Sequence, residues 1–94
     1  MPAVIPTLLR LSYIEGKSGM MRLRWKSQKG ANFLIEINSQ DPQVAGAWRF
    51  CGSSSRAKFI VPDLTPGVIY HLRVIATRSS SRSGVSQFVS AMAV

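Results

Sequence analysis

The sequence predicts an all-β protein, a sandwich of two antiparallel sheets, on the basis of three observations. Short stretches alternate apolar and polar residues with a period of two, as strands with one buried face do. Turn-forming residues separate these stretches at intervals of roughly eight to twelve residues, and no stretch has a helical period. Residues 61–76 contain a tight corner followed by a long alternating strand.

The corner around residues 64–67 is the strongest local signal. Pro66 presets φ for a turn, and Gly67 tolerates a positive φ. Tyr70 then begins the buried face of the next strand, and a buried phenol needs a hydrogen-bond partner. Because the chain doubles back between Leu64 and Gly67, the backbone of the corner is expected to supply that partner. This is the tyrosine-corner arrangement of β-sandwiches.

Seven strands are expected, and we label them by letter. Strand A carries Pro6, which suits an edge strand. Polar turns at residues 15–19, 27–31, 52–55 and 78–84 separate the strands. The strands span residues 5–12 (A), 20–26 (B), 32–39 (C), 48–51 (C′), 57–61 (E), 70–77 (F) and 85–94 (G).

The alternation within these strands assigns side chains to an inner face and an outer face. Trp25 is expected to be the large anchor of the core, with Glu36 facing Arg73 across the outer surface. The residues expected inside are Met21, Leu23, Trp25, Phe33, Ile35, Ile37, Phe59, Val61, Tyr70, Leu72, Val74 and Ala76.

The length and composition limit the number of domains, the disulfide bonds and the compartment that can be expected. Ninety-four residues correspond to one domain, residues 1–94. Cys51 is the one cysteine, so no intrachain disulfide forms, and a buried small hydrophobic role is expected for it. The N-terminus lacks the pattern of a signal peptide. The chain is therefore expected to be cytoplasmic, unless it is a segment of a longer secreted protein.

The residues that carry chemistry are few. His71 is the one histidine and falls on the outer face of strand F, where an incidental role is expected. No second histidine or cysteine stands at metal-ligand spacing, and a serine nucleophile would have no base to assist it. No enzymatic activity, cofactor or metal is therefore expected.

Five short motifs follow one another along the chain: Trp25, Phe33-Leu34-Ile35, Leu64-Thr65-Pro66-Gly67-Val68-Ile69-Tyr70, Arg73-Val74-Ile75-Ala76 and Gly84-Val85-Ser86. In this order and spacing they resemble a fibronectin type III domain. The resemblance implies an immunoglobulin-like β-sandwich of seven antiparallel strands, with A, B and E against C, C′, F and G. It implies a binding or spacer role and no reaction. No Arg-Gly-Asp lies in residues 77–84, so integrin binding is not implied.

A cationic surface is predicted on the outer face of strands B and E. The net charge of +8, with 12 basic and 4 acidic residues, permits an anionic partner such as nucleic acid or an acidic polysaccharide. The alternative is an ordinary solvated face. Arg10 is expected near this surface, whose residues are Arg22, Arg24, Lys26 and Lys58.

An apolar surface is predicted on the outer face of strands C and F. Outward aliphatic residues on central strands are less expected than outward charges. The surface is expected to pack on another domain, another copy or a peptide, and the alternative is scattered exposed apolar residues. Trp48 or Phe50 is expected to join it, and its residues are Leu34, Ile69, His71 and Ile75.

These features predict a non-catalytic interaction or spacer module that binds protein. Binding of an anionic polymer through the cationic surface is the alternative function. The Ser-rich loop 78–84 is a third candidate for recognition, because loops at the ends of sandwiches often carry binding residues. The alternative for this loop is a flexible linker.

Overall fold

Two antiparallel sheets form the protein in the computed structural model, which describes residues 3–94. The first two residues of the expected domain lie outside the described part. A short 3-10 turn, Ala45–Ala47, precedes the fourth strand. The strands are β1 (Arg10–Tyr13), β2 (Met21–Arg24), β3 (Asn32–Asn38), β4 (Arg49–Ser54), β5 (Lys58–Val61), β6 (Ile69–Arg78), β7 (Ser81–Arg82) and β8 (Val89–Met92).

The order of the strands confirms the predicted layers. One sheet has the order β1-β2-β5, which corresponds to A, B and E. The other has the order β4-β3-β6, and both β7 and β8 pair with the free side of β6. Strand G was predicted over residues 85–94 but is regular only in β8, and the additional strand β7 lies within the predicted loop 78–84, so eight strands are found in place of seven. No helix among residues 3–94 has the length and apolar character that crossing a membrane requires.

The core lies between the sheets and contains the predicted inner residues. Trp25 packs its edge against Phe33, with ring centroids 5.1 Å apart and planes at 68°, a favoured aromatic geometry. Phe59 is half-buried at the margin of the core. The other eleven predicted inner residues are buried: Met21, Leu23, Trp25, Phe33, Ile35, Ile37, Val61, Tyr70, Leu72, Val74 and Ala76.

The first strand begins later than predicted. Strand A was expected over residues 5–12, but β1 starts at Arg10. Leu8 has a φ of 59°, which interrupts the extended backbone two residues earlier. One further backbone bond, from the Lys26 N–H to the Thr7 carbonyl at 2.9 Å, keeps the preceding segment beside β2. Pro6 lies outside the strand and is buried.

The fourth strand contains residues that were predicted to form a turn. Gly52 to Ser54 continue β4, while Trp48 lies just before it. The pairing of β3 with β4 shifts register between Ile35 and Glu36, as a bulge does. A Cβ on Gly52 would collide with the Phe59 ring. Glycine is therefore required here by close packing inside a strand, which composition alone does not distinguish from a turn.

The predicted loop 78–84 is mostly a tight hairpin. Ser81 and Arg82 pair with Arg78 and Thr77, and Ser79 turns the chain with a φ of 53°. The regular pairing of strand G resumes only at Val89. Residues 81–82 of this loop therefore form a strand that the sequence did not predict, because serine and arginine are compatible with both a polar loop and an exposed edge strand.

Serine side chains continue the sheet where strand G is irregular. The Ser83 and Ser86 hydroxyls accept bonds from the Ala76 and Val74 N–H groups, each at 2.9 Å. The Ser83 and Ser86 N–H groups bond back to the carbonyls of the same two residues. A hydroxyl thus replaces a backbone acceptor at two positions, so the edge of β6 is paired without a regular strand beside it.

Candidate functional site

The tyrosine corner is present as predicted and ties the start of β6 to the preceding turn. The Thr65 N–H donates to the Tyr70 Oη at 2.9 Å, and Tyr70 is 6% exposed. Leu64 is buried beneath the corner, whereas Pro66 and Gly67 are exposed, with a φ of 89° at Gly67. The corner is a structural element. It fixes the orientation in which β6 begins, and so which of the strand's side chains point into the core.

The outer face of the sheet β1-β2-β5 carries the predicted cationic residues in register. Arg10 lies directly opposite Arg24, and Arg24 lies directly opposite Lys58. These three residues form one row across all three strands, and all three are exposed. In the next row, Arg22 lies between Ser12 and Ile60. We call this face, with Lys26 beyond the end of β2 and Arg56 before β5, the cationic face.

No carboxylate neutralises the cationic face within the part of the chain that the structure describes. The one ion pair found among residues 3–94 joins Arg73 to Glu36 on the other sheet. The remaining acids, Glu15, Asp41 and Asp63, lie in turns and loops outside β1, β2 and β5. The charges of the cationic face therefore meet solvent and each other.

A shallow groove of about 350 Å³ lies at the β5 side of the cationic face. Arg56, which sequence reasoning did not select, belongs to it because the turn between β4 and β5 brings this residue beside Lys58. Only a prediction of that turn's path could have identified it. The groove is lined by Arg22, Arg24, Arg56, Lys58, Phe59 and Ile60.

The outer face of the larger sheet carries an ordered cluster in place of an open apolar surface. The Arg73 Nε donates to the Glu36 Oε1 at 2.6 Å, as the predicted cross-strand pair requires. The Arg73 guanidinium lies 4.2 Å from the centroid of the Trp48 ring, a cation–π distance. The Trp48 Nε1 donates to the Pro42 carbonyl at 3.0 Å, which ties the preceding loop to the sheet.

His71 extends this cluster through Phe88. The ring centroids of His71 and Phe88 are 5.5 Å apart, and those of Trp48 and Phe88 are 6.2 Å apart. The His71 Nδ1 lies 2.6 Å from the Ser90 Oγ. We call Glu36, Trp48, His71, Arg73 and Phe88 the aromatic cluster. Phe88 and Ser90 were not selected from the sequence, because strand G begins irregularly and its alternation does not predict which side of the sheet these side chains occupy.

Two residues of the predicted apolar surface do not lie where expected. Ile75 is 3% exposed, so the prediction that it is available at the surface was wrong. Leu34 lies directly opposite it and is half-buried. The irregular segment 83–86 bonds to the residues on either side of Ile75 and runs along its other flank. The alternation of inner and outer side chains along a strand does not predict that another segment covers one of the outer ones.

The exposed apolar residues of this sheet lie towards its edges. Ile69 is 50% exposed and pairs with Met92, which is 48% exposed. Phe50 on the edge strand β4 is 65% exposed and lies opposite Glu36. Asn38 follows the buried Ile37 in β3 and is itself buried, and its side chain donates to the Asp41 carbonyl and accepts from the Gln40 N–H.

Cys51 is half-buried, and its thiol forms no disulfide bond. Burial raises the pKa of the Cys51 thiol, and the nearby Arg49 charge lowers it by a smaller amount. The thiol is therefore neutral at physiological pH and packs against the core. Within residues 3–94, no group of three or more His, Cys, Asp or Glu side chains is placed to hold a metal ion.

Comparisons with known proteins identify the fold. No family model and no curated protein matches the sequence. The crystal structure of FN3tt superposes with a TM-score of 0.80 at 22% identity, covering 98% of this chain and 95% of that one. The fn3 domain of the human collagen alpha-1(XX) chain gives a TM-score of 0.73 at 22% identity, covering 98% and 86%.

A similar fold also occurs as part of a longer solved chain. A crystal structure of titin domains superposes with a TM-score of 0.78 at 18% identity, covering 97% of this chain and 32% of that one. The sequence motifs, the tyrosine corner, the strand order and these superpositions agree. The chain therefore has the fibronectin type III fold.

Proposed function

We propose that residues 1–94 form one non-catalytic interaction module of the fibronectin type III type, which binds another protein through the outer face of its larger sheet. The observation that carries this proposal is the position of Phe50. Its ring is 65% exposed at the edge of the face, opposite Glu36 and next to the aromatic cluster. An exposed phenylalanine on a structured face is a typical anchor of a protein interface.

The chemistry of the aromatic cluster favours a protein partner. Tryptophan, tyrosine and arginine are enriched among the residues that dominate binding energy at protein interfaces. Trp48 and Arg73 are held by a cation–π contact, an ion pair and a backbone hydrogen bond. Side chains that are already ordered lose less conformational entropy on binding. The cluster therefore offers a rigid centre, with Phe50 and Ile69 at its margins.

The non-catalytic part of the proposal rests on His71 and Ser90. Their 2.6 Å contact is the one arrangement among the described residues that resembles a base beside a nucleophile. A working base is usually oriented by a third group on its other nitrogen. Glu36, the acid on this face, is instead bound to Arg73. The imidazole packs on Phe88 in a T-shaped arrangement, so the contact with Ser90 is better explained as packing of the face.

Photo-crosslinking tests the protein-binding proposal. A photoreactive phenylalanine analogue replaces Phe50 in one variant and Ile60, exposed on the opposite sheet, in a matched control. In an extract of the cells that make the protein, we expect a specific adduct at position 50, competed by unlabelled wild-type protein. An Ile69→Asp variant is expected to compete poorly. Equal adducts at both positions, or equal competition by Ile69→Asp, would refute the proposal.

Binding of an anionic polymer is a second candidate function. It is favoured by a separate observation, the register that aligns Arg10, Arg24 and Lys58 in one row on the cationic face. This face is on the opposite side of the sandwich from the aromatic cluster. The two functions are therefore compatible, and each can be removed without altering the other surface.

A further inference from the structure

We infer that the protein partner of the larger sheet binds as an added β-strand along the free edge of β8, with an apolar side chain seated in the groove beside that edge. This inference rests on the proposed protein-binding function and names the kind of partner, an extended peptide segment in which acidic residues flank an apolar one. Four features carry it: the open edge of β8, the groove, the strained backbone of Leu8, and the charges around the groove.

One side of β8 is unpaired in the part of the chain that the structure describes. β8 pairs with β6 and with no other strand. The Ala93 N–H bonds to the Val68 carbonyl, and bonded pairs alternate along an antiparallel ladder, so the backbone groups of Ser90 and Met92 point away from β6. The Met92 carbonyl accepts a bond from the Tyr13 hydroxyl, which occupies that end of the edge. The N–H and C=O of Ser90 face a position that a further strand can fill.

The edge of β8 lacks the charges that protect the other edges. An unpaired strand edge invites pairing with another chain, and charged residues on the strand discourage it. The four residues of β8, Val-Ser-Ala-Met, are uncharged. This edge is therefore the one whose chemistry permits a peptide to add a strand. Each of the other edge strands carries an exposed cation, namely Arg10 in β1, Arg49 in β4, Lys58 in β5 and Arg82 in β7.

A groove of about 530 Å³ lies next to this edge. Segment 5–9 forms one side and segment 87–89 the other, and none of these residues is charged. We call it the edge groove. Three of the residues that line it, Ile5, Leu8 and Phe88, are 48%, 69% and 40% exposed. The volume is within the range of about 300–1,000 Å³ that ligand pockets have, so the edge groove has room for an apolar side chain of a strand paired with Ser90.

Leu8 has a strained backbone that its own packing does not compensate. Its φ of 59° is rare for a bulky residue, and its side chain is nevertheless 69% exposed. The neighbouring residues enforce this conformation, since Pro6 is buried and the Thr7 carbonyl accepts a 2.9 Å bond from the Lys26 N–H. Strain of this kind is concentrated at ligand sites. Here it places an unburied leucine at the edge groove, where an apolar partner residue covers it.

The charges around the edge groove favour an acidic partner segment over a second copy of this chain. Arg10 directly follows the lining segment 5–9, and the backbone of Lys26 is bonded to Thr7 within that segment; both cationic side chains are exposed. Acidic residues on either side of an apolar anchor are complementary to these charges. A second copy carries the same net charge of +8, so two copies repel each other.

The edge groove is continuous with the face that the proposed function assigns to protein binding. Phe88 lines the groove and also belongs to the aromatic cluster, where its ring centroid lies 6.2 Å from that of Trp48. Alternate side chains of a strand point to opposite faces. A strand added beside β8 therefore directs one set of side chains towards the aromatic cluster and the other set into the edge groove.

A library of random peptides displayed on phage and selected on the wild-type protein supplies the probe. We expect the enriched peptides to place Asp or Glu beside an apolar residue. An enriched peptide is labelled with a fluorophore, and its affinity is measured by anisotropy, alone and in two forms that are N-methylated at alternate amides. Because a paired strand directs every second N–H to its neighbour, we expect one methylated form to lose about tenfold or more in affinity and the other less than about threefold.

Two variants, each with a matched control, locate the site on the protein. Ser90→Pro removes the open N–H, whereas Ser90→Ala removes the same hydroxyl and keeps the N–H. Leu8→Asp makes the edge groove polar at a positive φ that aspartate tolerates, and Ile60→Asp makes the same change on the opposite sheet. We expect Ser90→Pro and Leu8→Asp each to weaken peptide binding by about tenfold or more, and each control by less than about threefold. Unfolding curves identify any variant that does not fold, and the methylated peptides test the pairing on the wild-type protein.

The outcomes separate the inference from the function on which it rests. Peptide binding that is lost in Leu8→Asp but is insensitive to methylation and to Ser90→Pro would show an apolar site without strand pairing, and would overturn the inference. A wild-type dimer in sedimentation that Ser90→Pro dissociates would overturn it in favour of a second copy. A selection that enriches no peptide would overturn it as well. In each of these cases the adduct at position 50 still decides whether the face binds protein.

Discussion

The hydroxyl oxygen of Tyr70 accepts a 2.9 Å hydrogen bond from the backbone N–H of Thr65. Five residues of chain therefore fold back on themselves, and the ring stays buried with its polar atom satisfied. The bond ties the start of β6 to the corner that leads from the small sheet into the large one. The bond therefore stabilises the bend through which the chain passes from one sheet to the other.

Replacing Tyr70 by phenylalanine tests the importance of this bond. Tyr70→Phe keeps the ring but leaves the partly buried Thr65 N–H without a partner, which should cost about 1–3 kcal/mol. The free energy of unfolding, measured in urea, is expected to fall by that amount. Tyr13→Phe, which removes the exposed hydroxyl bonded to the Met92 carbonyl, is a suitable comparison and should lose less. Equal losses would contradict a special role for the corner.

The Ser86 hydroxyl is predicted to be necessary where strand G is irregular. Ser86→Ala removes the acceptor of the buried Val74 N–H, so the protein should be destabilised by about 1–3 kcal/mol. Ser53→Ala on the exposed surface of β4 is the matched control and should change stability by less than about 0.5 kcal/mol. Thermal or urea unfolding of both variants measures the difference. A loss at Ser86 no larger than at Ser53 would show that water satisfies the N–H group equally well.

Reversing one charge on the cationic face should stabilise the protein. Arg24→Glu converts two repulsive cross-strand pairs, with Arg10 and Lys58, into attractive ones. A gain of about 0.2–1 kcal/mol is expected in the free energy of unfolding at low salt. The gain should shrink in about 1 M salt, where the screening length falls to roughly 3 Å. A loss of stability at low salt would show that the row is not strained by its charges.

Cys51 should react slowly while the protein is folded. Burial raises the pKa of its thiol, so the reactive thiolate is scarcer in the folded protein than in the unfolded chain. The rate of modification by a chromogenic disulfide reagent near pH 8 is expected to rise when urea unfolds the protein. Because the folded pKa is the higher one, folding should also be favoured less as pH rises through the thiol's titration range. Equal rates with and without urea would contradict both expectations.

Much of the fold could be predicted because the signals are local. Alternation along β2 and β3 placed Met21, Leu23, Phe33 and Ile35 in the core, where the structure has them. The cross-strand pair of Glu36 and Arg73 followed from the strand order implied by the resemblance, and the structure confirms it. These predictions needed only the period of a strand and the identity of its neighbour.

The candidate surfaces were harder to predict because they depend on segments without a period. Ile75 was expected at the surface, but the segment 83–86 lies along one side of it. Phe88 joins the aromatic cluster from the same irregular region, and Arg56 reaches the cationic face through a turn. In each case a loop or turn, which has no period of its own, decides the position of the side chain.

The sequence by itself determined that the protein is a β-sandwich closed by a tyrosine corner, since period-two patterning and turn chemistry act over a few residues. It also determined that Arg22, Arg24 and Lys26 share one face of a strand. Only the tertiary structure decided that Arg10 and Lys58 lie directly opposite Arg24, because the register between strands is chosen when the whole core packs. The same packing buried Ile75 and left Phe50 exposed.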